Sequence, residues 1–235
     1  MNPTLFEAVD NYCERTGPEF WSEPINALTN LAFIAAGIWG LVLVSRHRTG
    51  GFAGLLAWWA IVIGIGSGIF HTFANRLTVW ADVMPIALFI FMFVLFTLNR
   101  FLGFGWPRTI AVFVAFIAVA GVLTWAVPDW LRAASNGSTG YLAAPLGLAF
   151  FGAWLVMRGH PAGKYELAGL AIFAISVTFR IIDPSVCEAL PIGTHFLWHT
   201  LNGLLLAVLL TAAARYGHPA ADAPAGFGRG AVNAA

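Results

Sequence analysis

The sequence predicts an all-α integral membrane protein, a seven-helix transmembrane bundle with its N-terminus outside and its C-terminus cytoplasmic. Three observations lead there. Of the 235 residues, 59% are hydrophobic and only 10% are charged, whereas a soluble domain carries about a quarter charged residues. The mean hydropathy is +0.79. The apolar residues fall into seven runs, each near the roughly 20 residues a helix needs to cross a bilayer. The runs are continuous rather than alternating, which excludes barrel strands, and open strands would leave backbone groups unpaired in lipid. The net charge of +1 offers no argument for nucleic acid as a partner.

The spans follow from run length and flanking residues. MNPTLFEAVD has no basic n-region, so the first span is expected to act as its own insertion signal. That span covers Ile25 to Val44 and stops at Arg46-His47-Arg48. The second covers Gly54 to Phe73, and the third Val79 to Leu98, ending at Asn99-Arg100. The fourth covers Thr109 to Val127 and is closed by Pro128. The fifth covers Gly140 to Met157, and the sixth Tyr165 to Ile182, closed by Asp183-Pro184. The seventh covers Ile192 to Ala214. One transmembrane domain thus occupies residues 1–215, and the Ala-, Gly- and Pro-rich tail over 216–235 is expected to be disordered.

Cationic side chains set the orientation. With the N-terminus outside, Arg46, Arg48, Arg100, Arg108, Arg158, Lys164, Arg215 and Arg229 all lie inside. Only Arg15, Arg76, Arg132 and Arg180 lie outside, as positive-inside asymmetry requires. The acidic residues lean outward, with Glu7, Asp10, Glu14, Glu19 and Glu23 ahead of the first span.

Three histidines then fall inside the hydrocarbon at matched depth toward the outer leaflet. His71 is near the outer end of the second span; His195 and His199 open the seventh. Ionisable groups in a span are expensive and mark function by default. Spaced four apart, His195 and His199 share one helix face. Three imidazoles at one depth fit a metal with an open coordination position, and zinc is the default. His47, His160 and His218 read as solvated residues of inner loops and tail.

A hydrolytic metal site also needs a proton carrier and a charge stabiliser. Asp82, at the outer end of the third span, is the candidate acid/base. Ser67 precedes His71 by one turn and is the candidate oxyanion donor, although a serine in GIGSGIF also eases helix packing. The acidic residues before the first span fit either a hard cation such as calcium or a solvated flank. The two cysteines, Cys13 and Cys187, both fall outside in the N-out arrangement, where a disulfide between them is expected.

Four segments carry a resemblance: DNYCE followed by SEPINALTNL, GIGSGIFH followed by WADVMP, then DPSVCE, and finally HFLWHTLNG. In this order they resemble the alkaline ceramidase family, within a superfamily of seven-span membrane hydrolases that includes adiponectin-receptor-like proteins. The phrase around the first cysteine looks more like the bacterial members. The resemblance implies a zinc-dependent amidase that hydrolyses ceramide or a related N-acyl lipid to a fatty acid and a sphingoid base. It implies zinc on His71, His195 and His199, catalysis by Asp82 and Ser67, and a Cys13–Cys187 disulfide. It also implies calcium on Asp10, the Tyr12 carbonyl, Glu14 and Glu23. The segment from Cys13 to Glu23 is shorter than the family's, Thr16 stands nearest to the family's calcium-binding Asn, and Tyr12 replaces a usual Trp. The expected setting is a bacterial inner membrane, with the site toward the periplasm and membrane lipids around it.

Two other classes compete. A bis-histidine membrane haem protein would use His71 with His195 or His199, but leaves Asp82 and Ser67 without a role. A non-catalytic receptor would use the same metal as a structural clasp. A retinal protein is excluded, because the one lysine, Lys164, lies in an inner loop.

Overall fold

The computed structural model describes residues 4–219, so most of the segment expected to be a disordered tail lies outside them. Among these residues nine α-helices follow in order: α1 Pro24–Thr29, α2 Leu31–His47, α3 Gly51–Phe73, α4 Arg76–Phe96, α5 Trp106–Trp125, α6 Asp129–Ala134, α7 Ala143–Met157, α8 Ala162–Val186 and α9 His195–Tyr216. Among the described residues, seven helical stretches are long and apolar enough to cross a membrane, with α1 and α2 forming the first. The protein is therefore a multi-pass membrane protein built on a helical bundle.

The helix ends follow local chemistry. Asn75 accepts the Thr78 N–H at the start of α4, while Thr78 accepts the Asn75 N–H in return, closing a reciprocal N-terminal cap. Past Phe96 the third span widens into a π turn, Thr97–Phe101. Most span ends lie within three residues of the expected ones, and two of the differences have a local cause. α8 continues through Asp183-Pro184 to Val186, because a proline near a helix end forfeits only one intrahelical bond, to the carbonyl four residues back. The seventh span begins at His195 rather than Ile192, because Gly193 turns the chain at φ +63°, a conformation that suits glycine. The short α6 lies between the fourth and fifth spans, and a 3-10 turn, Ser138–Tyr141, opens the fifth, features that hydropathy does not reveal.

α9 is the hub. It packs on α2 and α8, and in turn α2 packs on α3, α3 on α4 and α7 on α8. Its inward residues include Trp198, Asn202, Leu205, Leu209 and Ala212. α5 lies at the periphery, with only Thr109 and Ala120 buried. Tryptophans such as Trp58 and Trp125 point outward, as expected where lipid replaces water.

The segment before α1 caps one end of the bundle. Ala8 pairs with Asn75, the Val9 N–H donates to the Ala74 carbonyl at 2.8 Å, and the Trp21 N–H donates to the Thr72 carbonyl at 3.2 Å. The Cys13–Cys187 disulfide is present and ties this cap to the segment between α8 and α9.

Candidate active site

Beneath the cap the three histidines converge. His71 comes from the last turn of α3, and His195 and His199 from the first turns of α9. One ring nitrogen from each lies within 4.8 Å of the others. The ring centroids are 4.6 to 5.2 Å apart, and all three side chains are buried. Among the described residues this is the one cluster of three such groups.

The nitrogens facing inward and the nitrogens facing outward have different surroundings. His71 Nδ1 contacts Glu23 Oε2 at 2.6 Å, while its buried Nε2 has no protein partner. His199 Nδ1 contacts the Thr29 hydroxyl at 3.0 Å. His195 is fixed by packing, with the Tyr12 ring stacked on it at 3.6 Å, and its buried Nδ1 also has no protein partner. Buried polar atoms are otherwise almost always paired. Two orphaned imidazole nitrogens beside a third ring, one of them backed by a carboxylate, fit a metal-binding set with its orienting shell.

Asp183 anchors the α9 end of this set. Its Oδ1 accepts the N–H groups of Thr194 at 2.6 Å and His195 at 2.9 Å. Its Oδ2 accepts the Cys13 N–H at 3.1 Å. One buried carboxylate thus caps the helix carrying two of the histidines and fastens the cap segment. From the sequence, Asp183 reads as the stop of the sixth span and one of the outward acidic residues, with no sign of this anchoring role.

Ser67 and Asp82 meet on the other side, where α3 and α4 approach. The Ser67 side chain lies beside the Asp82 carboxyl, which also interacts electrostatically with His71. Their neighbours explain the approach. Pro85 has no N–H to offer the Ala81 carbonyl, and this free carbonyl turns onto α3. A Cβ at Gly66 would lie 2.1 Å from that oxygen, so the crossing needs glycine there. The backbone immediately before Ser67 thus meets the backbone immediately before Asp82.

Arg180 completes the wall. It donates to the Asn136 carbonyl at 2.6 Å and to Ser138 Oγ at 2.7 Å, and lies over the faces of Tyr141 and Trp198. It lies close enough to Asp82 for their charges to interact. Burial pushes the Tyr12 phenol well above its ordinary range, so it remains a neutral hydrogen-bonding group at physiological pH.

The acidic residues do not form the expected calcium site. Asp10 is exposed. Glu14 accepts the N–H groups of Ile25 at 2.7 Å and Asn26 at 2.8 Å, capping α1. Glu23 is buried between Arg15 and His71. Burial alone would raise its carboxyl, but the hydrogen bonds and charges of His71 and Arg15 prevail and hold it below the usual carboxylate range. Tyr12 contributes its ring, over His195. These groups do not fit a calcium ion, because Glu14 and Glu23 already serve protein donors and Asp10 is exposed.

Below the histidines an apolar cavity runs down the bundle. Phe33, whose ring meets His199 edge-on at 6.2 Å, lines its upper part with Tyr141 and Trp198. At its far end are Thr97 and the buried Glu166, joined by a 2.7 Å hydrogen bond from the threonine hydroxyl.

Compared with known families, the chain matches the ceramidase family model over residues 7–219. The chain belongs to the ceramidase family. No curated relative matches it. The match spans the cap, all three histidines and all seven spans. Ceramidase membership implies a membrane hydrolase of ceramide-type amide bonds, with three histidines able to hold a metal. The haem alternative loses its geometric basis here. A porphyrin placed between two of the imidazoles would collide with the third, whose ligand nitrogen lies within 4.8 Å of both.

Proposed function

We propose that the protein is a zinc-dependent lipid amidase that cleaves ceramide or a related N-acyl lipid to a free fatty acid and a sphingoid or similar amine base. The observation that carries this reading is the convergence of three buried histidine nitrogens within 4.8 Å, beside a Ser67–Asp82 pair. His71, His195 and His199 would hold the zinc. When bound, zinc would supply Lewis-acid polarisation of the amide carbonyl and ionisation of water near neutral pH.

The remaining work falls to the protein. Asp82 accepts the proton of the attacking water and delivers it to the leaving nitrogen. Ser67 donates its hydroxyl toward the oxygen where charge develops. Glu23, Thr29 and Tyr12 hold the imidazole rings in place. The apolar cavity supports a lipid substrate, because it offers a chain a path down the bundle. Its wall along α9 from Trp198 to Leu209 is about 16 Å long at about 1.5 Å per residue.

In this reading the site faces the periplasm of a bacterial inner membrane. The outward placement of Cys13 and Cys187 and the inward bias of Arg and Lys support that orientation.

Elemental analysis of detergent-purified protein tests the metal, with the His195→Ala/His199→Ala variant alongside. About one zinc per chain, lost in the variant, is the expected result for a three-histidine site. Zinc-free wild type purified without chelator would sink the mechanism. The wild type should release fatty acid from a short-chain ceramide, and Asp82→Asn should keep its zinc while losing most turnover.

A further inference from the structure

We propose that the guanidinium of Arg15 is a built-in cation that organises this metal centre, so that the protein needs no calcium. The inference rests on the reading that the three histidines hold zinc.

The contacts of Arg15 come first. Its Nε donates to Glu23 Oε1 at 2.5 Å, and both side chains are almost fully buried, at 2% and 1% exposure. One terminal nitrogen donates to the Gly17 carbonyl at 3.0 Å, and the other to the His71 carbonyl at 3.3 Å. Each of its three nitrogens is thus engaged. Arg15 grips His71 at two points, directly at the backbone and through Glu23 at the ring nitrogen Nδ1. Asn26 adds a 3.2 Å bond to Glu23 Oε2.

Charge accounting then decides between the two cations. A buried carboxylate needs a positive partner. Calcium would provide one by collecting six to eight oxygens at about 2.3–2.6 Å. Here Glu14 is committed to the α1 amides and Asp10 points into solvent. The position beside Glu23 already holds a full positive charge in a planar fork, the geometry that carboxylates and carbonyls accept best. A divalent ion at the same place would meet that charge at close range. Arg15 is therefore a positioning residue, acting on zinc through Glu23 and His71.

The test uses the full-length purified protein and two independent readouts. First, thermal unfolding and terbium luminescence are followed while calcium is chelated with EGTA and then restored to millimolar level. The expected result is no shift in the unfolding temperature and no terbium signal that calcium displaces. A calcium-dependent rise in unfolding temperature, or stoichiometric displaceable terbium, overturns the inference. Second, zinc retention is measured by competition with a chromogenic chelator. Arg15→Gln should hold zinc about 10- to 100-fold less tightly, the usual effect of losing an orienting partner, while helicity by circular dichroism is unchanged. Arg15→Lys, which keeps charge but loses the fork, should fall between Arg15→Gln and wild type. Arg15→Gln with wild-type zinc affinity also overturns the inference. If Arg15→Gln does not fold, the wild-type calcium titration still decides. If the wild type binds no zinc at all, the amidase reading fails, while the calcium titration still reports on the cation beside Glu23.

Discussion

Asp183→Asn should loosen the metal centre from a position outside it. The wild-type carboxylate is fully buried and accepts three backbone amides, two on Oδ1 and one on Oδ2. An asparagine can keep its oxygen on the Thr194 and His195 amides. Its NH2 group must then face the Cys13 N–H, where a donor replaces an acceptor. Losing one hydrogen bond to a charged acceptor costs about 1.5–3 kcal/mol. Removing the negative charge from the N-terminus of α9 adds about 0.3–2 kcal/mol. Asp183→Asn should therefore destabilise the fold by about 2–5 kcal/mol. Asp183→Ala strands all three amides, at about 1–3 kcal/mol each, and should cost more than Asn. Titration with sodium dodecyl sulfate in mixed micelles, followed by the fluorescence of the ten tryptophans, measures both. Zinc retention should weaken in the same order, because His195 loses its backbone anchor. If Asp183→Ala lies within about 0.5 kcal/mol of wild type, as an ordinary surface change would, the anchoring role of Asp183 is wrong.

Other perturbations separate the parts of the site. Gly66→Ala forces a methyl onto the Ala81 carbonyl, so α3 and α4 must part; turnover should fall about 100-fold, the effect of a misplacement near 1 Å, with zinc content unchanged by elemental analysis. Glu166→Ala removes the polar floor of the cavity, and longer acyl chains should gain. Each extra methylene that finds room adds about 0.8 kcal/mol of burial, or about four-fold in kcat/KM, and a chain-length series of N-acyl lipids reads this directly. Cys13→Ser opens a loop of 174 residues. By the chain-entropy account it should cost about 5 kcal/mol, seen as earlier unfolding in the same detergent titration and matched by reduction of the wild type.

Much of this architecture was legible in the chain because a bilayer imposes one dominant rule. Seven apolar runs gave seven spans, and helical periodicity placed His195 and His199 on one face. Matched depth brought His71 to them. The misjudged features depend on contacts across the fold. Pro184 reads as a helix stop, yet α8 runs past it. Arg15 reads as an outside charge and Glu23 as part of an acidic flank or calcium site, and their direct pairing and the tie from Arg15 to the His71 backbone, 56 residues away, are seen only in the fold. Asp183 caps a helix that begins twelve residues later, beyond the reach of a local capping motif. Glu166 escaped notice because one carboxyl in a long apolar run barely lowers its hydropathy, and its partner Thr97 is 69 residues away.

The link between Cys13 and Cys187 also bears on how the molecule comes into being. Everything the centre requires is distributed along the chain, with Glu23 ahead of the first span, His71 at the end of the second and the last two ligands in the seventh. A chain emerging from the ribosome therefore carries only His71 through most of its synthesis. It cannot assemble the three-histidine cluster until its seventh helix inserts. Disulfide closure requires the same late event, because the second cysteine is made just before that helix, and it requires an oxidising compartment. Oxidation of this pair thus records that the cap and the segment ahead of the seventh helix have met on the oxidising side of the membrane. Maturation can be timed by the mobility shift between reduced and oxidised chains.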